Sequence, residues 1–145
     1  MYTKGKTMKR RTEKRKPGKW IYRATRHAIY LRDNRTCYWC GATEKDGAQL
    51  SLDHLVPWVY FGANNHRNLV TCCRKCNSKR GDKLLDDWYQ VLQDEFGKDL
   101  EEIQEIKERI NKVKKSCDSS IQNYRNLAKG VKPYCKLAPG HSLAK

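Results

Sequence analysis

Two C-x-x-C pairs constrain this chain more than any other feature. Cys37 and Cys40 form one pair, Cys73 and Cys76 the other, with 32 residues between them. Two thiolates three positions apart can point at one ion while the backbone amides of the turn face the sulfurs. Four such soft ligands suit a closed, tetrahedral, structural zinc site, provided the intervening chain loops out and the two knuckles meet. Cys72 is an alternative ligand, but Cys73 is preferred because it completes the C-x-x-C with Cys76. Cys117 and Cys135 have no near partner and read as ordinary helix or tail residues. A metal staple fits a chain of 145 residues that is 38% hydrophobic and 32% charged, in which a large core is not expected. No apolar run of signal-peptide length follows the basic N-terminus, and no stretch approaches the roughly 20 apolar residues that span a bilayer. An intracellular, reducing location is expected, where paired cysteines mean metal rather than disulfides.

The charge points to a partner. The formal net charge is +15, and residues 1–35 carry thirteen Lys/Arg against two acids. Residues 84–145 are close to balanced, with eleven against ten. An excess segregated ahead of the cysteines implies a polyanion, with nucleic acid the first candidate. Residues 1–19 read as a disordered basic arm ended by Pro17-Gly18.

Apolar residues at 21, 24, 28 and 31 predict a helix over 20–32. Arg23, Arg26 and Arg32 lie off that stripe and are expected to meet phosphate, as are Arg35, Lys79 and Arg80. His27 reads as a surface or DNA-facing residue. Alternation over Leu50–Leu55 predicts a half-buried strand, and Leu69–Thr71 a second. Arg74–Lys83 reads as a helix with Gly81 near its end. Beyond Lys83, Leu85, Trp88, Leu92 and Phe96 mark an amphipathic helix. Asp99 with Glu102 opens a second in capping-box fashion, and Ser119 with Gln122 a third that ends at Gly130. Three units follow: the arm at 1–19, a domain at 20–83, and a helical appendage at 84–145. The appendage is expected to serve packing, a homodimer, or a partner such as a phage packaging complex.

The chemistry lies between the knuckles. With four cysteines committed to a closed site, a catalytic metal needs oxygen ligands. Asp53 offers a carboxylate and Asn77 an amide oxygen, a sparse set typical of magnesium with waters and phosphate completing the shell. His54 can take a proton near neutral pH. Neighbours on a strand point to opposite faces, so Asp53 and His54 can share one phosphate only where the strand ends, and Pro57 is consistent with that. Asn68 is placed to fix the loop and hold His54 in orientation.

The run DHLVP, then N-L, then CRKCNSKRG, preceded by R-D-N-x-x-C-x-x-C-G, resembles the HNH (His-Asn-His) endonuclease family, in its zinc-bearing phage and bacterial branch. The resemblance covers about residues 32–83. It implies an α+β fold with a small ββα-metal core and a four-cysteine zinc site, flanked by an N-terminal helix and C-terminal helices. It implies hydrolysis of DNA phosphodiester bonds in the cytoplasm of a bacterial host. Asp53 and Asn77 would hold Mg2+ or another divalent cation, His54 would be the general base, and Asn68 would brace the loop. Asn77 stands where many members have the final histidine. His66 is an alternative ligand or DNA contact, ranked below Asn77. The rival readings are a non-catalytic zinc-knuckle nucleic-acid-binding module and a phage packaging accessory protein.

Overall fold

The alternating run at 50–54 and the β-prone run at 69–73 pair as an antiparallel hairpin of β1 (Leu50–His54) and β2 (Leu69–Cys73). The register sets Leu50 opposite Cys73, Asp53 opposite Val70 and His54 opposite Leu69. Helix α2 (Arg74–Arg80) follows β2 with no intervening loop. Cys73 ends the strand and caps the helix, its Sγ accepting the Cys76 N–H at 3.4 Å. In this computed structural model, which describes residues 8–14 and 20–129, strand, strand and helix form the expected ββα unit. β2 runs two residues further than its apolar run suggested. α2 stops earlier, at Gly81, whose φ of +53° suits glycine.

Helix α1 (Arg23–Arg32) begins three residues later than the spacing predicts. Tyr22 is extended, and Trp20 turns away to stack on His54 with ring centroids 5.2 Å apart. The remaining helices are α3 (Leu85–Phe96), α4 (Leu100–Lys114) and α5 (Asp118–Ala128). α4 has the anticipated capping box, with Asp99 accepting from the Glu102 N–H at 2.8 Å and Glu102 from the Asp99 N–H at 2.9 Å.

Two apolar clusters hold these elements. The first gathers the four knuckle cysteines, Trp39, Leu55 and Val70 with Trp88 and Leu92 of α3 and Ile103, Ile106 and Ile110 of α4. Trp39 and Trp88 meet edge to face at 6.1 Å, a favourable aromatic geometry. The second joins α1 through Ala28, Ile29 and Tyr30 to Leu52, Leu69 and Ile121 of α5. Helices beyond residue 83 thus complete the packing of both the cysteine side and the α1 side of the hairpin.

Of the expected basic arm, residues 8–14 are described, and they are docked. The Arg11 N–H donates to the Val59 carbonyl at 2.5 Å, and its guanidinium lies 4.3 Å over the Trp58 ring. Residues 1–7 and 15–19, and the tail from Gly130 that includes Cys135, lie outside the described residues. Among the described residues, no helix is long and apolar enough to cross a membrane.

Candidate active site and metal centre

The Sγ atoms of Cys37, Cys40, Cys73 and Cys76 all lie within 4.8 Å of one another. Cys40 and Cys73 stand 3.7 Å apart. A tetrahedral zinc with Zn–S bonds of about 2.3 Å sets its sulfurs about 3.8 Å apart, so the cluster has the dimensions to hold a metal such as zinc. Each knuckle supplies a backbone donor to sulfur at 3.4 Å, Trp39 N–H to Cys37 and Cys76 N–H to Cys73. The left-handed turn at Gly41 (φ +77°) closes the first knuckle. Cys72 is outside the four; it is fully buried, with its Sγ 3.2 Å from the Cys73 carbonyl oxygen. Thiol donors from Cys72 and Cys76 hold Cys37 well below the usual thiol range, while burial pushes Cys40 up to about 11.

Asp53, His54 and Asn77 line one cavity of about 390 Å3, together with Trp20, Arg26, Trp58 and Asp82. Asp53 and His54 both reach it because β1 ends at His54. Asp53 is buried, and its hydrogen bonds fall on Oδ2: from Trp39 Nε1 at 2.9 Å and from Arg80 Nη1 at 2.8 Å. Burial is the largest influence on this carboxyl and raises its pKa; Arg80 and the indole pull the other way. Asn77 sits on the first turns of α2, where its Nδ2 donates to Ser51 Oγ at 3.0 Å and to the Leu52 carbonyl at 3.3 Å. With its amide nitrogen so committed, Oδ1 is the atom it has to offer a cation.

Asn68 ties the two ends of the 56–68 loop. Its Nδ2 donates to the carbonyls of Val56 and Ala63 at 3.1 and 3.0 Å, and its Oδ1 accepts the Val56 N–H at 2.9 Å. The expectation that Asn68 also orients His54 is corrected: the residue on the ring is Asn64, whose Oδ1 lies 2.7 Å from Nε2. Trp20 fixes the ring plane from its face. Trp20, Asn64 and Asp82 are the neighbours that sequence reasoning missed. All three reach the site from loops, where no periodicity marks a facing direction.

Two of the expected phosphate contacts are corrected as well. Arg80 is fully buried, and its guanidinium donates to Asp53, to the carbonyls of His54 and Leu55 at 2.6 and 2.8 Å, and to Lys83 at 3.3 Å. Arg32 is nearly buried and holds Asp33, the His66 carbonyl and the Leu69 carbonyl. Neither has a face left for phosphate. Arg26 lines the cavity and lies over Trp20. Arg23 is exposed beside His27, Arg35 pairs with Glu44, and Lys79 pairs with Glu95. Burial, with the charges of Arg23, Arg35 and Arg26, lowers the pKa of His27. His66 faces away from Asp53, with its nitrogens on Asp118 at 3.0 Å and Ser116 at 3.3 Å.

A ββα hairpin presenting Asp, His and Asn to one cavity beside a four-cysteine cluster has the layout of an HNH nuclease domain. Residues 37–91 match the family model described as HNH endonuclease. The chain is also similar to the "SPbeta prophage-derived putative HNH endonuclease YoqL" of Bacillus subtilis (strain 168), at 29% identity over 94 residues. That alignment takes in 60% of this chain and 40% of the relative, so the chain spans less than half the relative's length. The matched residues 37–91 include the four clustered cysteines as well as Asp53, His54 and Asn77.

Proposed function

We propose that the chain is a metal-dependent endonuclease that hydrolyses DNA phosphodiester bonds at the Asp53–His54–Asn77 cavity. The observation that carries this is the convergence of a base and two hard oxygen donors on one opening. The imidazole of His54, with Nε2 2.7 Å from Asn64 Oδ1, takes the proton from the attacking water. Trp20 and Asn64 hold the ring through that transfer. Asp53 Oδ1 and Asn77 Oδ1 would hold a magnesium or similar divalent cation. When bound, it supplies electrostatic stabilisation to the phosphoryl oxygens and the leaving 3′ oxygen. Arg26 neutralises the adjoining phosphate. Cys37, Cys40, Cys73 and Cys76 hold a structural zinc, and Asn68 braces the loop. The domain reaches into α5 through the second apolar cluster.

Plasmid nicking tests this directly. The zinc-loaded protein is expected to nick DNA with magnesium or manganese and to stop with EDTA. His54→Ala is expected to lose cleavage while keeping zinc and DNA affinity. Nicking by His54→Ala at the parent rate overturns the assignment of the base. DNA binding without cleavage under every metal condition supports the rival zinc-knuckle binding module.

A further inference from the structure

A second cavity, of about 490 Å3, shares Trp20 with the first. Asn64 lines it and touches His54, so this cavity begins one side chain from the imidazole. Its volume lies within the roughly 300–1,000 Å3 of small-molecule sites. Tyr22 borders it and is 75% exposed, a large aromatic left on the surface. Arg125 reaches it from α5. Its buried Nε has no hydrogen-bond partner among the described residues, and its Nη1 makes one long contact of 3.4 Å to Gln122. Asp118 is the carboxylate in the lining, and it is already matched by Arg67 at 2.8 Å and by His66 at 3.0 Å. The local balance therefore favours an anion.

An exposed aromatic face and an under-used guanidinium bordering one cavity suit the two ends of a nucleotide. The ring stacks on a base, and the cation meets a phosphate. We propose that this cavity receives an unstacked nucleotide of the cut strand, next to the scissile phosphate, with its base against Tyr22 and its phosphate on Arg125. The proposal rests on the nuclease reading above and names its substrate class. A nucleotide locked in a regular duplex cannot enter a pocket of this kind, so DNA that is single-stranded or bulged beside the cut is preferred over intact duplex. It also gives α5 a share in the substrate path.

The test measures binding first, by fluorescence anisotropy of the full-length, zinc-loaded His54→Ala protein. The probes are a short mixed-sequence single strand, the same sequence as a perfect duplex, and that duplex with one bulged nucleotide. The single strand and the bulged duplex are expected to bind more tightly than the perfect duplex. Tyr22→Ala and Arg125→Gln are each expected to weaken single-strand binding on the order of tenfold and to leave perfect-duplex binding unchanged. Tyr22→Phe is expected to restore the parent affinity, because the ring remains. Tyr22 is exposed, so its alanine variant reports on the pocket without a folding defect. Equal affinity for all three probes, or unchanged single-strand binding in Tyr22→Ala, overturns the proposal. Nicking assays with His54 intact separate the two readings. A protein that shows the expected binding pattern but nicks no DNA sinks the nuclease reading and supports the pocket as a nucleotide site. One that nicks, with Tyr22→Ala keeping the parent's strand preference, sinks the pocket alone.

Discussion

Replacing Arg80 by methionine asks whether this cation serves the fold or the substrate. Methionine keeps much of the aliphatic bulk but removes the charge and the bonds to Asp53, His54, Leu55 and Lys83. Asp53 is then left buried with the Trp39 indole as its remaining donor. Breaking a buried pair by removing one partner costs about 3–5 kcal/mol, because the other charge stays uncompensated. The three backbone carbonyls that lose a donor beside it place the expectation at the upper end of that range. At roughly 2–4 °C per kcal/mol, the melting temperature falls by about 10–20 °C. Burial already raises the Asp53 pKa above 3.8. A carboxyl raised in this way favours the folded state below its unfolded pKa, and that advantage is lost as pH rises through the folded value. Losing Arg80 raises it further, so the penalty of Arg80→Met grows as pH climbs above 3.8 and shrinks below it. Urea unfolding of the zinc-saturated protein, followed by tryptophan fluorescence, reads these differences. Adding Asp53→Asn should recover a large part of the loss, since the buried charge is gone. A loss within about 1 kcal/mol, the range of an exposed pair, would refute the reasoning, most plainly if DNA affinity fell instead.

Four further outcomes follow from particular contacts. Cys73→Ser is expected to abolish stoichiometric zinc, because structural zinc contributes about 10–16 kcal/mol of binding free energy in zinc-finger peptides, whereas Cys72→Ser keeps it; metal analysis of the purified proteins decides. At Gly62 an added Cβ would sit 1.8 Å from the Val56 carbonyl oxygen, so Gly62→Ala must displace the loop that carries Asn64 and Asn68. Its cost is expected at about 3 kcal/mol or above in urea unfolding. Asn64→Ala removes the acceptor on His54 Nε2 and is expected to lower kcat on the order of tenfold with KM unchanged; an equal rise in KM would point to substrate binding instead. Asp118 is held below 3.8 by its bond to His66 and by the charge of Arg67. A carboxyl depressed in this way lends stability that is present above the unfolded pKa and lost as pH falls through the folded one. NMR of the His66 ring should therefore show the contact persisting below pH 3.8, and Asp118→Ala should remove it at every pH.

What could be read from the sequence was local. The C-x-x-C spacing needs only a turn to bring two sulfurs together, and the Asp99–Glu102 cap needs one helical turn. The alternation at 50–54 marked a strand, but it did not mark its burial: Leu52, Asp53 and His54 are all buried, and Asp53 and His54 share a cavity where the strand ends. Composition misled at Lys79-Arg80, where two adjacent cations look interchangeable. Helix geometry separates them: Arg80 lies four residues after Cys76, on the face that the cysteine must bury, while Lys79 turns outward to Glu95. That signal was present and was outweighed by the charge of the residue. Trp20, Asn64 and Arg125 had no such signal. Arg125 is brought in by α5 folding back on α1, a contact between segments far apart in the chain, and Trp20 and Asn64 come from loops.

The two sites are also joined in a way that their spacing did not reveal. One link is on α2, where Cys76 and Asn77 are adjacent. A second link runs through Trp39, which lies inside the first knuckle between Cys37 and Cys40. Its indole donates to Asp53, its ring packs edge to face on Trp88, and the Arg80 guanidinium lies 5.7 Å from its centroid. The knuckle thus positions one oxygen of Asp53 and leaves the other for a cation, while α2 positions Asn77. Each ligand of the proposed catalytic metal is held by a different half of the cysteine cluster. Leaving the cluster without a metal is therefore expected to loosen both ligands together, with Asp53 then held by Arg80 and Asn77 by Ser51 and Leu52.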